Sequence, residues 1–257
     1  MIKVIFFDID GTLLSHTSPI PVSEATFQAF DLLKEKGIKR IACTGRHIME
    51  LDRLPLGRLE FDGYIILNGQ AYYDENRKLI RENYMNERDT RELVDFYNMK
   101  LYPTMLSTPT TIKLNYINET VIEVQKQISS PVEQVGEYEG EHLLNGVIFA
   151  SPDQEEEVRK YLPHARLERW NDKGADIMYN QSGKAEGVMQ YLSEHHLTRE
   201  ESMGFGDSFN DRTMLKTVGL SVAMGNAPDE LKAIADYVTD HIDDDGVYKA
   251  LKHFAII

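Results

Sequence analysis

The chain has 257 residues, of which 42% are hydrophobic and 27% charged, a composition that supports one large or two modest folded domains and gives no sign of disorder. The formal net charge is -14. Basic residues are scattered among acidic ones, which argues against a nucleic-acid or anionic-membrane surface.

The one cysteine, Cys43, excludes an internal disulfide and a thiolate metal cluster and fits a reducing compartment, the cytoplasm by default. The opening stretch MIKVIFFDIDG meets acid at Asp8 too early for a secretory signal. No segment approaches the roughly 20 apolar residues of a membrane span.

The run KVIFF (3–7) predicts a first strand. Ser23 then offers an N-cap for a helix carrying Ala25, Phe27, Ala29, Phe30, Leu32 and Leu33 and stopping at Gly37. IKRIACTG predicts a second strand, HIMELDRLP a helical stretch and YIILNG a third strand. Strands alternating with helices of this length imply βαβ units and a parallel sheet. Over residues 82–180 the texture changes to helical stretches such as DTRELVDFYNMK interleaved with strand-like runs such as LLNGVIFA and ARLERW, which reads as an α+β domain inserted into the first. The alternation resumes with KAEGVMQYLSEHH, SMGFGD, FNDRTMLKTVG, LSVAMG, APDELKAIA and DYVT. The expected organisation is an α/β, doubly wound parallel-sheet core formed by 1–81 and 181–257, with 82–180 as the insert.

Ligands of open parallel sheets bind beyond the carboxyl ends of the strands. Four polar places follow predicted strands or the insert. Asp8 and Asp10 close the first strand, and alternation points both carboxylates the same way. Thr44, Gly45 and Arg46 follow the second and form a small anion-binding corner. Lys184 lies where the insert returns to the core and a helix begins. Asp207, Ser208, Asn210 and Asp211 end another strand as a hard-oxygen cluster suited to Mg2+. A shared cation offsets the repulsion between the first and fourth groups.

In order and spacing, FFDIDGT, CTGR, SGKAEG and GDSFND resemble the four motifs of the haloacid dehalogenase superfamily of phosphatases, in the branch with a large α+β (C2B-type) cap between the second and third motifs. LNG at 67–69, AMGNAPDELKAIADYVT from Ala223 and DDDGV from Asp243 resemble its Cof-like subgroup.

The resemblance implies a Rossmann-like core, a specificity-setting cap and an Mg2+-dependent phosphatase acting on small phosphorylated metabolites such as sugar phosphates or cofactor-like phosphomonoesters. It implies Asp8 as nucleophile and Asp10 as acid and base. Metal contacts fall to Asp8, Asp10 through its carbonyl, and Asp207, with Asp211 behind them. Phosphoryl oxygens fall to Ile9 through its amide, Thr44, Gly45, Lys184 and Asn210, with Asn68 lining the pocket. Trp170, Asn171, Lys173 and Asp176 are candidate cap contacts. The expected protein is a cytoplasmic monomer or homodimer with no nucleic-acid or membrane partner.

Alternatives are a phosphotransferase or mutase using the same aspartyl-phosphate, metal-free carbon–halogen hydrolysis, or a regulatory module phosphorylated on aspartate. The chain lacks a Walker loop, a dinucleotide glycine fingerprint and a Ser-His-Asp elbow, so nucleotide hydrolysis, hydride transfer and ester hydrolysis have no support.

Overall fold

A computed structural model describes residues 1–179 and 183–257. The described residues form strands β1 (Val4–Phe7), β2 (Lys39–Cys43), β3 (Gly63–Ile66), β4 (Ala71–Asp74), β5 (Leu79–Glu82), β6 (Thr104–Ser107), β7 (Ile112–Leu114), β8 (Asn145–Ile148), β9 (Ala165–Asn171), β10 (Gly174–Tyr179), β11 (Ser202–Gly206), β12 (Leu220–Ala223) and β13 (Tyr237–Val238). The chain divides into two compact units, Met1–Arg46 with Pro55–Ile80 and Gly183–Ile257, and His47–Leu54 with Arg81–Ser182.

The first unit is built on a sheet of order β13-β12-β11-β1-β2-β3-β4-β5. β1 pairs in parallel with both β11 and β2, Val4 lying opposite Ser202 and Lys39. The chain adds strands to one side of β1 as far as β5 and, after the second unit, to the other side from β11 to β13, so the order reverses beside β1. That is where a doubly wound sheet opens a crevice.

β1 is buried on both faces because every residue of VIFF is apolar. The Phe6 ring meets Tyr191 edge-on at 5.5 Å. Phe7 contacts Phe30 at 4.9 Å and stacks on Phe205 at 5.2 Å on the opposite face. Each buried aromatic contributes roughly 1.5–3 kcal/mol over leaving it exposed. The helix Glu24–Glu35 begins as expected, with Ser23 accepting from the Thr26 amide, and Gly37 turns the chain at φ +70°.

The first sheet is not wholly parallel. β4 runs antiparallel to β3, and neither β4 nor β5 was expected from the sequence. Their connection was legible in principle: Asp74 Oδ1 accepts from the Asn76 and Lys78 amides, turn chemistry available to an Asp-Glu-Asn run. The helices expected at 47–55 and 227–235 are single turns, Ile48–Leu51 and Asp229–Lys232.

The second unit holds a five-stranded sheet, β7-β6-β8-β10-β9, all of whose pairings are antiparallel. Leu93, Phe96, Val158 and Leu162 cover one face with Ile148 and Ile177. Val121 and Val124 cover the other with Met105 and Val147.

Residues 47–54, read from the sequence as core, group with this unit. The reason is a set of ties: a hydrogen bond between His47 Nε2 and the Thr108 carbonyl at 2.8 Å, with burial holding the imidazole pKa down, and an Arg53–Glu133 ion pair at 2.5 Å. The expected boundary between Asn180 and Gln181 lies outside the described residues.

Candidate active site

The described motif residues of the first unit meet at the carboxyl edge of its sheet. The Asp8 amide donates to the Phe205 carbonyl of the neighbouring strand at 3.0 Å, which places Asp8 beside the end of β11 and therefore beside Asp207. Gly11 makes that approach possible. It adopts φ +79°, and a Cβ there would sit 2.1 Å from Asp207 Oδ2, so backbone and space both call for glycine. Gly206 plays the same spatial part for Asp211, whose Cγ would lie 2.5 Å from an added Cβ.

Asp8, Asp207 and Asp211 offer oxygens all within 4.8 Å of one another. Lys184 is completely buried, and its Nζ donates to Asp8 Oδ1 and to Asp211 Oδ1, each at 2.5 Å. The other oxygen of Asp211 accepts from the Asp207 and Ser208 amides, both at 3.0 Å. Asp211 is thus occupied as an organiser, which suits the supporting place expected for it from the sequence. Thr12 donates its hydroxyl to Asp207 Oδ1 at 2.9 Å.

Three carboxylates, those of Asp8 and Asp211 buried and that of Asp207 partly buried, are short of positive charge beside one lysine. Burial, and after it the neighbouring Asp211, pushes the Asp8 carboxyl up to about 7 against the pull of Lys184. Asp207 is likewise raised, by burial and then by Asp8 and Asp211. Burial disfavours the charge on Lys184, but Asp211 and Asp8 override it and hold the ammonium firmly protonated.

A hard cation among carboxylate oxygens supplies the missing charge, so the donor set fits Mg2+. The sign of the pH effect follows by linkage. Folded-state values above the ordinary 3.8 mean that the metal-free fold binds extra protons. The stabilisation from these groups is then complete below about pH 4 and is lost as pH rises through about 7. Mg2+ is expected to raise the melting temperature more at pH 8 than at pH 5.5. Thermal melts with and without the ion check this, and an equal gain at both pH values contradicts it.

Asp10 is held differently. Arg46, itself buried, donates from Nε to Asp10 Oδ2 at 2.6 Å and from its terminal nitrogen to Oδ1 at 2.7 Å, a two-pronged grip typical of guanidinium on carboxylate. His16 Nε2 lies 2.7 Å from Oδ1. Burial alone would raise this carboxyl, but the hydrogen bonds from His16 and Arg46 bring it down to about 2. Two neighbouring aspartates, Asp8 and Asp10, thus carry opposite shifts. The sequence reading placed Arg46 in the anion-binding corner but did not connect it, or His16, to Asp10.

Thr44 is buried, and its hydroxyl accepts from the Arg46 amide at 3.1 Å. The turn after β3 holds this corner: the Leu67 and Asn68 amides donate to the Arg46 and Thr44 carbonyls at 3.1 and 3.0 Å. Leu67, Asn68 and Gly69 all take positive φ, at 50°, 53° and 94°, a conformation costing of order 1–3 kcal/mol at each non-glycine position. Asn210 donates from its amide nitrogen to Asn68 Oδ1 at 3.2 Å and buries its own carbonyl oxygen without a partner among the described residues. Gly45 is partly exposed. The Ile9 carbonyl accepts from the Leu13 and Leu14 amides at 2.9 and 2.8 Å.

The cap candidates make contacts within the second unit. Asn171 donates to Gln127 Oε1 at 3.0 Å, Lys173 to Glu123 Oε2 at 2.8 Å, and Trp170 packs against the Met105 cluster. Asp176 is buried on β10 opposite Glu168.

The family of haloacid dehalogenase-like hydrolases matches residues 5–251. The chain is 30% identical to the 5-amino-6-(5-phospho-D-ribitylamino)uracil phosphatase YcsE of Bacillus subtilis, over 99% of this chain and 96% of that protein. Among solved structures it is similar to BT1666 of Bacteroides thetaiotaomicron, a phosphatase of the superfamily, with 31% identity, a TM-score of 0.87 and coverage of 100% and 96%. It is also similar to the subclass IIB sugar phosphatase BT4131, with 30% identity, a TM-score of 0.86 and coverage of 99% and 100%. Among the described residues no helix is long and apolar enough to cross a membrane.

Proposed function

Because the chain belongs to the haloacid dehalogenase-like hydrolase family, as a Cof-like phosphatase, we propose that it hydrolyses small phosphorylated metabolites with Mg2+ through an aspartyl-phosphate on Asp8. The substrate class is sugar phosphates or cofactor-like phosphomonoesters, as the names of BT4131 and YcsE suggest. The observation that carries this reading is the carboxylate cluster of Asp8, Asp207 and Asp211 closed by one buried lysine.

Asp8, Asp207 and the Asp10 carbonyl would hold Mg2+, with Asp211 supporting them. When bound, the ion supplies charge that screens a carboxylate from an anionic phosphoryl group. Asp8 attacks phosphorus in line, the bond to the leaving oxygen breaks, and water later cleaves the acyl phosphate to regenerate the carboxylate. Thr44, the Gly45 and Ile9 amides, Lys184 and Asn210 hold non-bridging oxygens, where preorganised donors act in a dry pocket. For Asn210 this uses its second N–H or a turned-over amide, since one N–H faces Asn68. The second unit serves as the cap that selects the leaving group, and the setting is cytoplasmic.

Asp10 donates a proton to the leaving oxygen and takes one from the attacking water. Bound to Arg46 and His16 it is an ionised base; to act as an acid, its carboxyl leaves those partners and takes up a proton from solvent, gives it to the leaving oxygen, and regains one from the attacking water in the second step. Asp10→Asn is therefore expected to lower kcat/KM, which reports formation of the aspartyl-phosphate, by roughly 10²–10⁴-fold for an alkyl phosphate and much less for an aryl phosphate, whose phenoxide leaves without a proton, while loss of the base slows breakdown of the intermediate for both. kcat/KM measured with the two substrates checks this, and an equal loss of kcat/KM on both removes the acid role from Asp10.

A further inference from the structure

The segment AMGNAPDELK after β12 has no part in the chemistry above, yet its asparagine reaches back across the sheet to the acidic cluster. Asn226 Nδ2 donates to the Gly11 carbonyl at 2.8 Å and lies 3.4 Å from Asp207 Oδ2. Its Oδ1 accepts from the Ile242 amide at 3.1 Å. One amide thus joins three loops at the same edge: the turn that follows Asp10, the end of β11 that carries Asp207, and the 241–245 loop.

The backbone around Asn226 is built to aim it. The Met224 amide donates to the Gly206 carbonyl and the Gly225 amide to the Asp240 carbonyl, both at 3.0 Å. Gly225 permits so close an approach that an added Cβ would lie 2.5 Å from the His241 nitrogen. Met224 then accepts from the Ala227 amide at 3.0 Å, a turn that points residue 226 back toward β1.

We propose that Asn226 is a positioning residue for the cation site: with Thr12 it grips Asp207 from two sides and presents that carboxylate in a fixed orientation. Thr12 holds Oδ1 and Asn226 faces Oδ2. Both are neutral donors, so they orient the carboxylate without neutralising the charge a cation needs. The hydrogen bond to the Gly11 carbonyl fixes in the same way the turn on which Asp10 sits. Groups that orient a metal-binding carboxylate typically change affinity by 10–100-fold when removed.

The inference rests on the reading that Asp8 and Asp207 hold a divalent cation, and the test separates the two. Mn2+ is titrated into the full chain without substrate and the free ion is counted by electron paramagnetic resonance. Asn226→Ala and the nearly isosteric Asn226→Leu are compared with the parent protein and with Ser221→Ala. That last variant loses a hydroxyl bond to Asp236 near the start of β12, the strand that leads to Asn226.

Both Asn226 variants are expected to bind Mn2+ about 10-fold or more weakly, with Ser221→Ala unchanged. A folded Asn226 variant that binds as tightly as the parent overturns the inference, as does an equal loss in Ser221→Ala, which would mark a general effect of loosening β12. A parent protein that binds no Mn2+ overturns the cation reading itself. If Asn226→Ala fails to fold, Asn226→Leu, which fills the same volume, decides.

Discussion

Asp8→Asn is expected to abolish phosphate release, by at least about 10³-fold, in line with losses on removing a reacting group. The amide has nearly the shape of the carboxyl but cannot attack phosphorus as an anion. The fold should survive, because the backbone bond from residue 8 to the Phe205 carbonyl does not depend on the side chain, and the substitution takes one charge from a crowded cluster. Rates measured with Mg2+ and an aryl phosphate, beside a circular dichroism spectrum, check both halves. A folded Asp8→Asn protein as active as the parent would remove Asp8 from the chemistry.

Lys184→Met is expected to cost stability as well as activity. The lysine is completely buried, and its ammonium is shared by Asp8 and Asp211 at 2.5 Å each. Methionine fills much of the space but leaves both carboxylates without their cation. Removing one side of a buried ion pair typically costs about 3–5 kcal/mol, which for a chain of this size lowers the melting temperature by roughly 6–20 °C. The loss should be smaller at pH 5 than at pH 8, because Asp8, already pushed up to about 7, takes up a proton more readily once the lysine is gone. Thermal melts of both proteins at the two pH values give the answer, and an unchanged melting temperature would mean that Lys184 does not hold the cluster together.

The parts of this fold set by apolar runs were legible in the sequence. VIFF and KRIAC could only be interior strands, and the polar residues after them could only lie at a sheet edge. The short strand β5 was hidden because LIRE has no apolar alternation and its edge position leaves it half exposed. Residues 47–54 looked like core because they follow β2 in the chain, whereas long-range partners such as Thr108 and Glu133 decide where they pack.

In the site, residue identities pointed to the chemistry but not to the electrostatics. Asp8 and Asp10 have the same side chain two positions apart. Burial and the distant Asp211 make the Asp8 carboxyl a weak acid against the pull of Lys184, whereas His16 and Arg46 make the Asp10 carboxyl a strong one. Asn226 was invisible for a similar reason, since its partners Gly11 and Asp207 are 215 and 19 residues away.

Phosphate release from a panel of phosphorylated metabolites, first with protein stripped by a chelator and then after adding Mg2+, tests the proposed activity most directly. The expected result is no release without the ion, release with it, and a higher kcat/KM for at least one sugar phosphate or cofactor-like phosphomonoester than for an aryl phosphate. Release undiminished by chelation, or none from any substrate with Mg2+ present, would contradict it.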